Sequence, residues 1–298
     1  MFDNFFYFFY CIGVIFSLYL LIKFLKWIYK HFLLSMPNFR KLYGEGFVII
    51  TGGSAGIGLS FAKQFIKLNY KILLISSSEQ KLLKAKQELE KINSKALIKI
   101  LPFNLNNSYD DKTIEDLDKK ITEITSGEEI SILINNAGVI TRKNLCDISD
   151  EQIRSMIYVN TLAVTFLTKI VLEKMLKRKN RSLIVGSGSV MGTFRFNTRS
   201  VYGSTKSYLE AFYESLQREY SDKVDFTVLE IGPVETELNR LPMRFKIDSD
   251  SFCEKSMKVL GRYNFTTSCL QHEIMVLFVK KVPFFNDFIC KYSKKSFT

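Results

Sequence analysis

The sequence has few of the residues that build disulfide frameworks and metal sites. Its five cysteines are odd in number and widely spaced, without a C-x-x-C pair, which argues against both a disulfide framework and a structural zinc site. Two histidines, His31 and His272, are too few for a histidine-rich metal centre, so we expect no metal site. The sequence also contains no proline- or glycine-rich linker, internal repeat or low-complexity tract.

Large apolar side chains, in contrast, are abundant. The 298 residues are 47% hydrophobic and 14% aromatic, which excludes a disordered or collagen-like chain. A chain of this length can bury a full hydrophobic core. The composition therefore predicts a globular body.

The first segment is a long uncharged run, residues 5–22. As a helix that rises about 1.5 Å per residue, it spans about 27 Å, close to the thickness of the hydrocarbon layer of a bilayer. Only Asp3 precedes it, and lysines follow it without a small-residue cleavage site, so a cleaved signal peptide and a buried core helix are weaker alternatives. We predict that residues 1–36 form a membrane anchor and a juxtamembrane segment. The positive-inside rule then places the body in the cytosol.

The body alternates short β-branched runs with amphipathic, charged segments such as residues 79–92. Candidate strands occupy residues 47–50, 71–75, 96–101, 130–134, 182–185 and 226–231. Strands separated by helices of about ten or more residues are typical of a parallel sheet that is covered on both faces. The predicted fold class is α/β, a doubly wound parallel sheet over residues 37–270, followed by an apolar, basic C-terminal tail, residues 271–298.

A glycine-rich turn, T-G-G-S-A-G-I-G at residues 51–58, lies between the first candidate strand and a helix. Its glycines let the backbone turn tightly and approach a pyrophosphate, whose charge then lies at the helix N-terminus. Such a turn alone is weak evidence, because glycines also mark ordinary turns. Its position after a strand and before a helix favours a dinucleotide site.

Tyr202 and Lys206 are four residues apart and therefore share one face of a predicted helix. The pKa of a phenol, near 10, is too high for proton transfer at neutral pH, and an adjacent ammonium lowers it. The pair suits a tyrosine that acts as general acid in the reduction of a carbonyl. By itself, however, such a pair is usually only part of a helix surface.

Five motifs resemble those of the short-chain dehydrogenase/reductase superfamily. They occur in the same order as in that superfamily, over about residues 45–240. They are the turn at residues 51–58, N-N-A-G at residues 135–138, Asn160, Ser189 thirteen residues before Tyr202, and I-G-P-V-E-T at residues 231–236. The resemblance implies a Rossmann-like fold and an NAD(P)-dependent oxidoreductase that acts on CH–OH groups.

The resemblance also implies a role for each catalytic residue. Tyr202 is expected to protonate the alkoxide, Lys206 to lower the pKa of Tyr202 and hold the nicotinamide ribose, and Ser189 to bind the substrate carbonyl. Asn160 is expected to position a water molecule in the proton relay. Ser187 remains a competitor for the serine role, although the spacing favours Ser189.

By the same resemblance, NADP(H) is the preferred cofactor. The second strand ends in three serines, residues 76–78, where an acidic residue would favour NAD. The arginine common in NADP-dependent relatives is also absent, but Lys81 or Lys84 could supply positive charge, and NAD(H) is not excluded. The residues expected to contact the cofactor are Thr51, Gly52, Ser54, Gly56, Ile57, Gly58, Ser77, Asn104, Asn135, Ala137, Tyr202, Lys206, Val234 and Thr236.

Two membrane-anchored branches of the superfamily share these features. The approach to the first strand, residues 40–52, resembles the 17-beta-hydroxysteroid dehydrogenase and very-long-chain 3-oxoacyl-CoA reductase group, whereas T-G-G-S at residues 51–54 is closer to the 3-ketodihydrosphingosine reductases. We favour the first group. The predicted function is NADP(H)-dependent reduction of a keto group on a long-chain lipid, a 3-oxoacyl-CoA or a 17-ketosteroid. A 3-ketodihydrosphingosine reductase and a non-catalytic dinucleotide-binding membrane scaffold stay open as alternatives.

The expected partners are an apolar keto-lipid and the lipid bilayer, and a homodimer is left open. The net charge of +12 does not predict binding to nucleic acid, because no basic stripe is interleaved with aromatic residues. Contact with an anionic membrane surface explains the excess better. Lys294 and Lys295 lie one position away from a dilysine retrieval signal. We therefore expect a single-pass protein of the endoplasmic reticulum membrane whose catalytic domain faces the cytosol.

Three N-x-S/T sequences, at Asn106, Asn180 and Asn264, test this orientation. Because N-glycosylation occurs on the lumenal side, none of them should carry a glycan in cells. Endoglycosidase treatment should therefore leave the electrophoretic mobility of the native chain unchanged. A glycan-acceptor tag fused before residue 1 is the positive control, since the same orientation places it in the lumen. A mobility shift of the untagged chain would contradict the orientation.

Overall fold

The computed structural model describes residues 2–107, 109–194, 196–236 and 246–281. The chain divides into two compact units, Met1–Met36 and Pro37–Thr298. In the first unit, helix α1 (Phe2–Ile28) continues into a π-helical turn (Tyr29–Leu33). Its apolar side chains are exposed along most of the helix, and the most apolar 18-residue window within Phe6–Leu33 has a mean hydropathy of 2.2. By length and composition this helix can cross a membrane, as predicted for the N-terminal segment.

A second stretch, Asp150–Met175, meets the same criteria of length and composition among the described residues. It forms helices inside the second unit, and 56% of its apolar window is buried there. It is therefore a core element of the body.

The body contains a sheet of seven parallel strands in the order β3-β2-β1-β4-β5-β6-β9, which confirms the predicted fold class. The strands are β1 (Phe47–Thr51), β2 (Lys71–Ser76), β3 (Ile98–Pro102), β4 (Ile130–Asn135), β5 (Ser182–Ser187), β6 (Val224–Leu229) and β9 (Phe265–Thr266). A separate parallel pair joins β7 (Val234–Glu235) to β8 (Ile247–Asp248). The two-residue β9 was not predicted, because so short a strand has no detectable apolar pattern.

Helices surround this sheet. They are α2 (Phe39–Tyr43), α3 (Gly56–Lys67), α4 (Glu79–Ile92), α5 (Asp111–Ile124), α6 (Asp150–Ile157), α7 (Ala163–Met175), α8 (Val190–Thr193), α9 (Ser200–Tyr220), α10 (Ser249–Val259) and α11 (Leu270–Lys281). Short 3-10 and π-helical turns, Leu145–Asp147 and Tyr158–Leu162, flank α6. The C-terminal tail predicted for residues 271–298 is described only as far as α11, and residues 282–298 lie outside the described part of the chain.

The central strands have apolar side chains on both faces. Every residue of β1 and of β4 is buried, and their sequences are nearly continuous runs of branched aliphatic residues. Such runs are typical of parallel strands covered on both faces, because successive side chains point to opposite sides of the sheet. The hydrophobic effect thus fixes β1 and β4 side by side at the centre of the body.

The strand order reverses between β1 and β4, and ligands of doubly wound sheets bind at the carboxyl ends of strands at such a point. One side chain joins the two turns that follow these strands. Thr51 Oγ1 accepts hydrogen bonds from the backbone N–H of Asn136 at 2.9 Å and of Ala137 at 3.1 Å. The glycine-rich turn and the N-N-A-G turn are therefore held together at the edge where a ligand site is expected.

Candidate active site

A cavity of about 1140 Å³ opens at the carboxyl ends of the central strands. Ligand pockets are typically about 300–1,000 Å³, so this cavity has room for a cofactor and a substrate together. Its wall brings together most of the residues predicted from the sequence. They are Gly52, Ser54, Gly56, Ile57, Ser77, Asn104, Ala137, Ser189, Tyr202, Lys206, Val234 and Thr236.

The glycine-rich turn needs its glycines for two physical reasons. Gly52 and Gly56 have positive φ angles, 62° and 54°, which disfavour residues with a side chain. A Cβ on Gly58 would lie 2.3 Å from the carbonyl oxygen of Gly52, so only glycine lets the start of α3 approach the turn. A Cβ on Gly56 would meet the side chain of Thr236 at 3.2 Å, which places Thr236 directly across from the turn.

Two predicted cofactor residues, Thr51 and Gly58, stand at the two ends of this turn and do not line the cavity. A third, Asn135, is also outside the wall: it is 2% exposed, and its Nδ2 donates to Thr168 Oγ1 at 2.9 Å and to Tyr213 Oη at 2.8 Å. Its neighbour Asn136 lines the cavity instead. Asn135 thus joins β4 to α7 and α9, and it supports the cavity wall from the protein core.

Asn160 is fully buried in the π-helical turn between α6 and α7. Its Oδ1 accepts from the N–H of Val139 at 2.9 Å, while Nδ2 donates to the carbonyl of Val139 at 2.9 Å and to Thr205 Oγ1 at 3.1 Å. These contacts hold the segment after β4 against α9. In this structure Asn160 is a positioning residue, and its role in a water relay stays a prediction.

Lys206 joins the catalytic helix to the sheet. It is 6% exposed, and its Nζ donates to the carbonyl oxygen of Ser187 at 2.7 Å. Burial lowers the pKa of Lys206 to about 8, because the charged form has lost much of its solvation. At neutral pH the ammonium is still the main form. It lies close to the N-N-A-G turn, since a Cβ on Gly138 would be 3.5 Å from Nζ.

Tyr202 forms a hydrogen bond with Ser189, which stabilises the phenolate. Burial raises the pKa of Tyr202, and Ser189, Arg142 and Arg199 act against that rise without cancelling it. The phenol therefore holds its proton at neutral pH, as a general acid must before reaction. The effect of Lys206 on this pKa stays a prediction, and Lys206 Nζ is 5.7 Å from the ring centroid of Tyr202.

Ser187 and Ser189 both line the cavity, but they have different partners. The hydroxyl of Ser187 donates to Asn136 Oδ1 at 3.3 Å. The hydroxyl of Ser189 caps α8 by accepting from the N–H of Met191 at 3.2 Å and pairs with Tyr202. The geometry therefore favours Ser189 for the role beside the tyrosine.

Three residues of the site were missed by sequence reasoning. Arg142 and Arg199 line the cavity near Tyr202, although no motif includes them. Arg199 precedes Tyr202 by about one helical turn, and this spacing is the one local signal that could have found it. The third residue, His272, lies outside the cavity wall.

His272, on α11, supports the segment that bears Val234 and Thr236. Its Nδ1 accepts from the N–H of Gly232 at 3.2 Å, and its Nε2 donates to the carbonyl of Pro233 at 3.2 Å. A Cβ on Gly232 would lie 2.5 Å from the imidazole ring, so the ring packs directly on this backbone. Burial lowers the pKa of His272 to about 4, because a charged imidazolium is poorly solvated there.

A doubly wound sheet with a glycine-rich turn at its switch point, next to a Tyr–Lys pair, defines an oxidoreductase of the dinucleotide-binding class. The comparison with protein families agrees with this class. The chain belongs to the short chain dehydrogenase family, whose model matches residues 46–243. This membership confirms the resemblance found in the sequence and makes the protein an oxidoreductase.

Individual relatives extend the likeness beyond the family domain. The chain is 31% identical to the very-long-chain 3-oxoacyl-CoA reductase of Rattus norvegicus, over 76% of this chain and 72% of that protein. It is 28% identical to the putative steroid dehydrogenase 1 of Caenorhabditis elegans, over 95% of this chain and 91% of the relative. Among solved structures, a short-chain dehydrogenase from Sphingobium yanoikuyae in complex with NADPH has the same fold. Its TM-score is 0.68 at 22% identity, with 81% of this chain and 95% of that chain covered.

The lowered pKa of His272 predicts a loss of stability in acid. Between about pH 6.5 and pH 4 the unfolded chain binds a proton at this residue and the folded chain does not, so folding stability falls as the pH falls. Between pH 7.5 and pH 5 the loss from this residue alone is about 2 kcal/mol. Denaturant titrations of the detergent-solubilised protein at the two pH values measure it. His272→Gln should remove this part of the pH dependence, and an unchanged slope in the variant would contradict the assignment.

Proposed function

We propose that the protein is an NADP(H)-dependent reductase of a keto group on a long-chain lipid, with a 3-oxoacyl-CoA as first candidate. One observation carries the proposal: Tyr202, Ser189 and Lys206 meet in a single cavity that also contains the glycine-rich turn. The likeness to a very-long-chain 3-oxoacyl-CoA reductase supports the substrate.

Side chains of the protein supply the proton and stabilise the charge that develops in the reaction. When bound, the nicotinamide supplies a hydride, two electrons and one hydrogen nucleus, to the carbonyl carbon. Tyr202 donates its proton to the carbonyl oxygen, and the product is a secondary alcohol. Ser189 hydrogen-bonds the same oxygen and stabilises the charge that develops there. The Lys206 ammonium, held by the Ser187 carbonyl, stays next to the tyrosine that has lost its proton.

One end of the cavity fits the 2′-phosphate of NADP(H). Ser77 and Lys81 line this end, and the hydroxyls of Ser54 and Ser76 are 3.0 Å apart beside it. Among the described residues, no aspartate or glutamate lines the cavity, so the wall contains no group that would repel a phosphate. The NADPH complex of the Sphingobium yanoikuyae dehydrogenase supports the same preference. Asn104, also in the wall, is placed to contact the adenosine part.

Apolar side chains in another part of the cavity wall support a lipid substrate. Val190 and Phe194 at α8 and Val276 on α11 form a small buried cluster, with Met191 and Met275 packed against it. Both methionines also line the cavity. Flexible thioether side chains adapt to long apolar chains of different shape. A 17-ketosteroid remains the second candidate, supported by the likeness to a putative steroid dehydrogenase.

The exposed apolar helix α1 supports the proposed location. We infer that residues 1–36 anchor the protein in the endoplasmic reticulum membrane and that residues 37–270 form the catalytic domain on the cytosolic side. A lipid bilayer next to the body would supply the apolar substrate.

Tyr202→Phe removes the proton donor and keeps the ring. We expect the rate of ketone reduction to fall roughly a hundredfold or more, because a positioned general acid contributes about 10²–10⁴-fold. Binding of NADPH, measured by fluorescence titration, should persist. Tyr208→Phe is the matched control, since Tyr208 lies on the same helix outside the cavity wall. Equal activity of Tyr202→Phe and the wild type would contradict the role of Tyr202, and an unchanged cellular phenotype of the variant would favour the non-catalytic scaffold.

Ser77→Asp places a carboxylate at the proposed phosphate end. Like-charge repulsion should raise the KM for NADPH by about tenfold or more, which corresponds to roughly 1.4 kcal/mol, and should spare or improve the KM for NADH. Ser94→Asp adds the same charge at an exposed position and should change neither value. Steady-state kinetics with both cofactors measure the effect. An unchanged preference would show that the 2′-phosphate is not bound at Ser77.

A further inference from the structure

Residues 231–236 cross the cavity wall between α8 and the glycine-rich turn. Most of them line the cavity, namely Ile231, Gly232, Pro233, Val234 and Thr236. At one end of this segment, the carbonyl of Ile231 accepts a hydrogen bond from the N–H of Val190, the first residue of α8, at 3.0 Å. At the other end, Thr236 lies across from Gly56. The segment therefore connects the two parts of the site.

The strand order shows which half of a dinucleotide this segment would meet. The serines of the proposed phosphate end follow β2, whereas residues 231–236 follow β6. Three strands lie between β2 and β6, so the ends of these two strands are roughly 19 Å apart at about 4.8 Å per strand. The reacting end of the cofactor must also lie near Ser189, which follows β5. Residues 231–236 are therefore on the nicotinamide side of the cavity.

His272 binds the middle of this segment from α11. Its Nδ1 accepts from the N–H of Gly232 at 3.2 Å, and its Nε2 donates to the carbonyl of Pro233 at 3.2 Å. The same carbonyl also accepts from the N–H of Ile247 at 3.1 Å. Only the neutral imidazole with its proton on Nε2 can accept at one nitrogen and donate at the other. A Cβ on Gly232 would lie 2.5 Å from the ring, so the backbone and the ring are in direct contact.

The surroundings of His272 hold the imidazole in one place. The residue is fully buried, and Val276, one helical turn later, packs with Val190 and Phe194 at α8. On α10, the ring of Phe252 lies 6.0 Å from the imidazole, centroid to centroid. Close-packed interiors transmit small displacements instead of absorbing them. The imidazole is therefore a rigid support for the segment.

We propose that His272 is a positioning residue for the nicotinamide half of the cofactor, and that it acts through the backbone of Gly232 and Pro233. The inference rests on the proposed function, because it assigns a further residue to the cofactor site of the same cavity. His272 does not line the cavity, so it is not expected to touch the cofactor itself. A misplacement of about 1 Å at a reacting centre can lower a rate on the order of a hundredfold, so such a support has a measurable effect.

The ends of the segment have contacts of their own. The carbonyl of Ile231 is bound by α8, and the carbonyl of Glu235 accepts from Ser249 Oγ at 2.7 Å. Loss of the imidazole should therefore displace residues 232 and 233 while the ends stay in place. The serines after β2 and the glycine-rich turn should keep their positions as well.

Two ligands separate the halves of the cofactor site in the full-length, detergent-solubilised protein. NADPH occupies both halves, whereas adenosine 2′,5′-bisphosphate contains only the part proposed for the serines and the glycine-rich turn. Calorimetric titration gives the Kd of each ligand for the wild type, His272→Leu and His272→Gln. Leucine has a comparable size and forms neither hydrogen bond, while the amide of glutamine can both accept and donate. Leu277→Gln is the matched control, since Leu277 lies on α11, is 41% exposed and does not line the cavity.

We expect His272→Leu to weaken the binding of NADPH by about tenfold and that of adenosine 2′,5′-bisphosphate by less than about twofold. His272→Gln should recover part of the lost affinity, and Leu277→Gln should match the wild type. With the N-acetylcysteamine thioester of 3-oxododecanoic acid as substrate, kcat should fall by about tenfold or more in His272→Leu. Equal weakening of both ligands would overturn the proposal, because His272 would then support the fold as a whole. Unchanged binding of NADPH would overturn it as well.

Gly232→Ala displaces the same backbone without a change at His272. The new Cβ would meet the imidazole, so the ring and the backbone must separate. The variant should weaken the binding of NADPH and spare that of adenosine 2′,5′-bisphosphate, and it decides the matter if His272→Leu fails to fold. Equal loss for the two ligands in Gly232→Ala would contradict a role confined to the nicotinamide half.

The titrations do not depend on turnover. If the wild type reduces no ketone but His272→Leu loses affinity for NADPH alone, the proposed reaction fails and the assignment of His272 stands. If the wild type reduces the ketone and His272→Leu binds and reduces as the wild type does, the reaction stands and the assignment fails.

Discussion

The hydrogen bond from the buried Lys206 ammonium to the carbonyl of Ser187 is the contact on which the rest of the site depends. It joins α9 to the carboxyl end of β5. One turn earlier on α9, Tyr202 is thereby brought against Ser189, which lies just beyond β5. Because burial lowers the pKa of Lys206 only to about 8, the ammonium persists at neutral pH and continues to donate this hydrogen bond. The hydrogen bond therefore fixes the position of α9 relative to β5.

Buried polar side chains also support the turns of the site from the protein core. Asn160 binds both backbone polar groups of Val139, and Asn135 binds side chains of α7 and α9. Thr51 accepts from the backbone of the N-N-A-G turn. Buried polar groups are costly unless they are hydrogen-bonded, and each of these groups is. The cavity wall is therefore supported by contacts that give it a single arrangement, which a reaction between a cofactor and a substrate requires.

The cavity is electrically one-sided. Among the described residues, the charged side chains that line the cavity are Lys81, Arg142, Arg199 and Lys206. The apolar side chains of α8 and α11 complete the wall where a hydrocarbon chain is expected.

The sequence alone determined the central strands, the glycine-rich turn, the Tyr–Lys pair and the apolar N-terminal helix. Each of these depends on spacing within a short segment, because side-chain periodicity and backbone conformation are local properties. Tertiary structure decided which side chains meet. It turned Asn135 toward the core and Asn136 toward the cavity, brought Arg142 and Arg199 into one cavity wall, and placed His272 against Gly232, forty residues away. Such contacts join elements distant in the chain, and no local pattern records them.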